Sequence, residues 1–174
     1  MRGHQVGSII GAVAGLMFVF VNAGNLSDPW QLVLRLIGVL AALVVLGMVV
    51  RSPAESPVPP SRQAFRVYGW SVLAMVVAIP LGSSLLNGPL DVPEFTVLWV
   101  IAVVGAHFLP FASAFDAPIF RPLALTMLAL AAIGAMATFI VGADAASLTA
   151  VAVGFLLLGF VARGALRATV HRAV

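Results

Sequence analysis

The chain has 174 residues, of which 62% are hydrophobic and only 9% charged, with a mean hydropathy of +1.14. A soluble domain is usually about a quarter charged, so this composition excludes a water-soluble globule. The net charge of +3 comes from nine arginines with no dense tract among them, which excludes a nucleic-acid-binding surface. Cysteine and lysine are both absent, which excludes disulfides, thiolate metal sites, cysteine nucleophiles and Schiff-base chemistry.

Six apolar segments follow one another, and at roughly 20 residues each they use about 120 positions, leaving short connections and no soluble domain. The first is expected over residues 6–23. With Arg2 before it and Val21-Asn22-Ala23 at its end it has the shape of a secretory leader, but with Met1 in place it is read as a retained span. Gly7, Gly11 and Gly15 recur along it at four-residue spacing, the pattern that lets a second backbone approach closely. The pattern fits packing inside the bundle, or a homodimer formed through the same stripe.

The second span is expected over residues 31–50 and carries Arg35 about one turn inside its start. An arginine at mid-span costs about 2.5 to 3.5 kcal/mol on an insertion scale, and less near an end. Either it snorkels toward the headgroups and Asp28, or it faces the bundle as a counter-charge or anion contact. Residues 51–66 follow, with prolines at 53, 57, 59 and 60, and read as an extended connector.

The third span, residues 67–86, contains Pro80 followed by Gly82, Ser83 and Ser84, a combination that kinks a helix and offers hydroxyls and a freed carbonyl. The fourth, residues 95–111, holds His107 and a second kink residue, Pro110. Beyond it Asp116 is placed to approach the imidazole through the loop, for proton transfer or solute coordination. Small residues Gly134, Thr138 and Gly142 line the fifth span, residues 122–141, and its C-terminal boundary. Ala150 and Gly154 do the same for the sixth, residues 146–162.

Charge then sets the topology. Arg2, Arg51, Arg62, Arg66, Arg121, Arg163, Arg167 and Arg172 all fall on one side of the alternating spans, while the opposite connections hold Asp28, Asp91, Glu94 and Asp144 and no arginine. By the positive-inside rule the arginine side, with both termini, is cytoplasmic. Trp30 and Trp99 fall near the outer interface, Tyr68 and Trp70 near the inner one. The fold class expected is therefore an all-α integral membrane protein, a compact bundle of six transmembrane helices. Six spans also allow a 3+3 inverted arrangement, although the halves show no convincing self-similarity. Arginine in place of lysine, with abundant alanine, valine and glycine, points to a GC-rich bacterial genome and hence to a bacterial inner membrane.

Function is expected where polar residues sit at membrane depth. The leading expectation is transport or binding of a small anionic or apolar solute, with Arg35, Ser83 and Ser84 as an outer pocket and His107 with Asp116 as an inner gate. The alternatives are an accessory subunit packed against a partner membrane protein, and an enzyme using His107 and Asp116. Hydrolase, zinc-protease and phosphate-loop motifs are lacking, and one spanning histidine makes a two-histidine haem site hard to build, so no metal or cofactor is expected.

Overall fold

A computed structural model describes residues 3–52 and 61–170, and among them every regular element is helical. The helices are α1 (Gly3–Ala23), α2 (Trp30–Arg51), α3 (Arg62–Asn87), α4 (Thr96–Ala114), α5 (Phe120–Val141) and α6 (Ala143–Val170), with a 3-10 turn at Pro93–Phe95 before α4. All six are long and apolar enough to cross a membrane. The proline-rich connector, Arg2 and Arg172 lie outside the described residues.

Two helices extend well past their expected spans. Helix α3 starts at Arg62, because Ser61 caps it: the Ser61 side chain accepts the Ala64 N–H at 3.1 Å. Helix α6 continues to Val170 through Gly164-Ala165-Leu166-Arg167-Ala168-Thr169, which brings in Arg167 and Thr169 but no proline to stop it. Hydropathy marks the length of chain that suits lipid, whereas a helix ends only where its hydrogen bonds do. Pro80 and Pro110 both lie inside helices that run on past them. Each leaves the carbonyl four residues earlier without its helical donor.

The chain divides into two compact units, one of α1, α2 and α6 from Ala150 onward, the other of α3, α4, α5 and the start of α6. This grouping does not follow the two sequence halves that a 3+3 arrangement would use.

In the first unit α1 and α6 meet backbone to backbone. A Cβ built on Gly15 would stand 2.8 Å from the Gly154 carbonyl oxygen, and one on Gly154 would stand 2.6 Å from that of Gly15. One turn earlier Gly11 faces Val161, while Gly7 has nothing within 4 Å. The groove therefore consists of Gly11 and Gly15 and is occupied from within the chain. Gly38 of α2 makes the matching approach to Val19 of α1. Around these crossings Ala12, Val19, Ala42, Val45, Val49 and Leu158 are buried. Ser52 closes the end of α2, its hydroxyl lying 2.8 Å from the Met48 carbonyl and 3.3 Å from that of Ala165 on α6.

In the second unit Gly105 of α4 lies against Met127 and the Ala124 carbonyl of α5, and Gly134 lies against Thr149 and Leu98. Thr138 is buried and donates to the Gly134 carbonyl at 2.8 Å. Gly142 ends α5 at φ +96° with open space around it, so its role is the backbone turn rather than close packing.

Because α1 and α6 touch through their main chains, neither can yield to an added methyl. Gly154→Ala should cost roughly 1 to 3 kcal/mol through overpacking, read as a lower melting temperature in detergent. Gly7→Ala should leave melting unchanged. Equal melting of the two variants would show that the Gly15–Gly154 crossing does not limit stability.

Candidate functional site

The second unit carries the one histidine that lies within a candidate membrane span among the described residues. His107 lies twelve residues into α4 and is half-buried; its partner is Ser71 of α3, also half-buried, whose hydroxyl oxygen is 2.8 Å from His107 Nδ1 and 3.0 Å from the His107 carbonyl oxygen. One hydroxyl proton can serve only one of these contacts. Donated to Nδ1, it would leave hydroxyl and carbonyl oxygens facing each other at 3.0 Å with no proton between them. Donated to the carbonyl, it leaves the hydroxyl lone pair to accept Nδ1–H, and both contacts become hydrogen bonds. Satisfying both contacts at once requires the Nδ1–H tautomer of the neutral ring, which leaves the Nε2 lone pair unused by Ser71.

Aromatic rings pack around this imidazole. Phe111 lies edge-on to His107 at 4.6 Å between centroids, and Phe108 is tilted at 5.5 Å. Phe111 is the hub, stacked on Tyr68 of α3 at 5.6 Å and edge-on to Phe115 at 5.3 Å and to Phe120 at 5.7 Å. Phe108, Phe111 and Phe115 recur at three- and four-residue spacing, so one face of α4 presents them together. Such edge-to-face pairs add about 0.5 to 1.5 kcal/mol each beyond area burial and fix ring positions.

Asp116 is exposed at φ +49°, in the left-handed turn that ends α4, where the Ala117 N–H bonds the Ala112 carbonyl at 3.1 Å. Aspartate tolerates that conformation, which gives the residue a local reason to be there. The hydrogen-bond partner of His107 is Ser71. Ser83 is half-buried and Ser84 exposed; their carbonyls accept the Asn87 side-chain amide at 2.7 Å and the Gly88 N–H at 3.0 Å. Beside Pro80, Trp99 donates from Nε1 to the Ala78 carbonyl at 2.9 Å while its indole lies over Gly82.

Arg35 belongs to the first unit. Its Nε donates at 3.0 Å to the Phe20 carbonyl, in the last turn of α1, and its guanidinium carbon stands 4.9 Å from the Phe20 ring centroid. The Gly24 N–H turns back to Val21 at 3.2 Å instead of continuing the ladder to Phe20, so that carbonyl needs an outside donor. A cation there also meets the negative end of the α1 dipole, an effect of about 0.3 to 1 kcal/mol. Gly24 makes room for it, since a Cβ at that position would strike the guanidinium. Asp28 accepts from Gln31 Nε2 at 2.9 Å.

Arg35 thus lies in the α1–α2–α6 unit, whereas Ser83, Ser84, His107 and Asp116 lie in the other. Sequence reasoning missed Ser71, Phe111 and Phe20. Phe111 had a visible signal in the aromatic spacing of α4, whereas Ser71 is 36 residues from its partner and had none. Among the described residues no group of three or more histidine or acidic side chains could hold a metal ion. No protein-family model, curated protein or solved structure matches the chain.

The tautomer assignment is open to direct measurement. In 15N spectra of histidine-labelled protein, the resonance that disappears in His107→Gln should report a ring protonated on Nδ1. Ser71→Ala should abolish that preference and destabilise the protein by roughly 1 to 2 kcal/mol through the orphaned Nδ1–H. An unchanged tautomer in Ser71→Ala would show that Ser71 does not set it.

Proposed function

We propose that this chain is a multi-pass protein of the cytoplasmic membrane, with both termini inside, whose α3–α4–α5 unit binds and carries a small, largely apolar solute bearing a hydrogen-bond donor. The carrying observation is the His107–Ser71 pair, which leaves Nε2 as a fixed acceptor among aromatic rings. A ring nitrogen held in one tautomer is ready to accept from a hydroxyl or N–H without reorganising, and apolar surroundings strengthen that bond. The rings of Phe108 and Phe111 suit a flat or apolar body beside it. Asp116, exposed in its turn, is no part of this reading.

Membrane insertion is supported by the outward-facing side chains. Phe139 is 86% exposed and Ile140 75%, and the apolar stretch of α3 has no buried residue, surfaces that water would not tolerate and lipid would. The described arginines other than Arg35 sit at the C-terminal end of α2, the N-terminal ends of α3 and α5 and the C-terminal part of α6, which alternating spans would bring to one face.

Two experiments test these statements separately. The chain has no cysteine, so single ones report cleanly. A cysteine at exposed Ser27 should react with an impermeant maleimide in intact cells, and one at exposed Ser61 only after permeabilisation; the reverse pattern would overturn the topology.

For the site, a diazirine-bearing phenol offered to proteoliposomes should label peptides around residues 68–71 and 107–111. His107→Phe should reduce labelling about tenfold, the loss of roughly 1.4 kcal/mol of hydrogen bonding. Equal labelling in that variant would reject His107 as the acceptor.

A further inference from the structure

The solute reading leaves Arg35 unused, and the cap it provides to α1 engages only Nε–H. Guanidinium has five N–H donors in a fixed fork. The four on Nη1 and Nη2 have no hydrogen-bond acceptor among the described residues. The bond to the Phe20 carbonyl and the contact with the Phe20 ring anchor the group through its Nε side, and it passes beside Gly24, where no side chain stands. Asp28, the one acidic residue in the α1–α2 connection, is engaged by Gln31.

Depth matters as well. Arg35 is five residues along α2 from Trp30, about 7.5 Å by the helical rise, and Trp30 is 61% exposed at the start of that helix, as an interfacial tryptophan would be. Side chains on a helix lean toward its N-terminus, so the half-buried Arg35 fork reaches back from that depth toward the Trp30 level, where a headgroup phosphate can meet it.

We infer that the free Nη1/Nη2 edge of Arg35 is a phosphate site that holds one phospholipid headgroup against the α1–α2 corner. A phosphodiester offers two oxygens at the spacing the fork presents, and charge-assisted bidentate bonds of this kind are about twice as strong as neutral ones. Which leaflet supplies the lipid rests on the topology proposed above; the presence of the site does not. Phe20 and Gly24 act as positioning residues, aiming the fork without touching the phosphate.

Native mass spectrometry of the full chain, released from nanodiscs of phosphatidylglycerol and phosphatidylethanolamine, tests this directly. Wild type should retain one phospholipid. Arg35→Lys keeps the cation but loses the fork, and should lower that occupancy about tenfold while helical content, read by circular dichroism, stays the same. Leu40→Ala, an outward-facing position on the same helix, should retain the lipid.

A second arm adds millimolar inorganic phosphate to delipidated protein. A rise in melting temperature seen in wild type and absent in Arg35→Lys would support the phosphate site and show that it also takes the free ion. Occupancy and melting response equal in wild type and Arg35→Lys would overturn the proposal. Because neither arm depends on His107 or on sidedness, failure here leaves the solute reading and the topology standing, and the reverse holds too.

Discussion

Side-chain donors along these helices are repeatedly returned to main-chain carbonyls. Asn22 donates to Phe18, Thr126 to Pro122, Thr138 to Gly134, Thr149 to Ala145 and Thr169 to Ala165, each at 2.8 to 3.0 Å and each four residues back along its own helix. Four others cross to a neighbouring helix: Arg35 to Phe20, Ser52 to Ala165, Trp99 to Ala78 and Ser71 to His107. Among the described residues no buried side-chain nitrogen or oxygen lacks a partner. In an apolar medium an unsatisfied donor costs several kcal/mol, so this accounting must close before packing can matter. Local back-bonding closes it for the threonines, which therefore say little about function. The crossing bonds fix which helices are neighbours.

That division explains what could be read ahead of the structure. Six helices follow from hydropathy because each is one long, uniformly apolar run bounded by polar residues, and no long-range information is needed. Residue pairs across helices are another matter. The glycine spacing of α1 announces a groove but cannot say that Gly7 falls outside it, because that depends on where α6 crosses. Arg35 is conspicuous as the outlier to the charge rule, yet its explanation is a carbonyl fifteen residues earlier, exposed only because the end of α1 tightens after Phe20. The proximity of Asp116 to His107 in sequence suggested a pair; the left-handed turn at Asp116 and the serine on α3 account for the two residues separately.

Helix α3 shows what holds such a unit together. Only Ala64, near its N-terminus, is buried, so apolar burial does little to place it. Its hold on α4 is polar, through Ser71 to His107, Ala78 to Trp99 and Asn87 to Thr96 at 2.9 Å, contacts spread along the length of the helix. Interhelical hydrogen bonds in membranes average about 0.6 kcal/mol each by double-mutant cycles, so three supply roughly 2 kcal/mol. This attachment is specific in register and modest in strength. Close approach adds the rest, as at Gly82, where the absence of a side chain lets the indole lie directly on the α3 backbone.

A helix latched by a few polar contacts has a further consequence for the histidine. Ser71 is both one of the three latches and the group that sets the imidazole tautomer. Any displacement of α3 along α4 would therefore alter the hydrogen-bonding state of His107 at the same time, since the two contacts share one hydroxyl. Conversely, a partner that accepts or donates at Nε2 changes the charge distribution of the ring and with it the strength of the bond to Ser71. Position of α3 and chemistry at His107 are thus linked through a single oxygen atom.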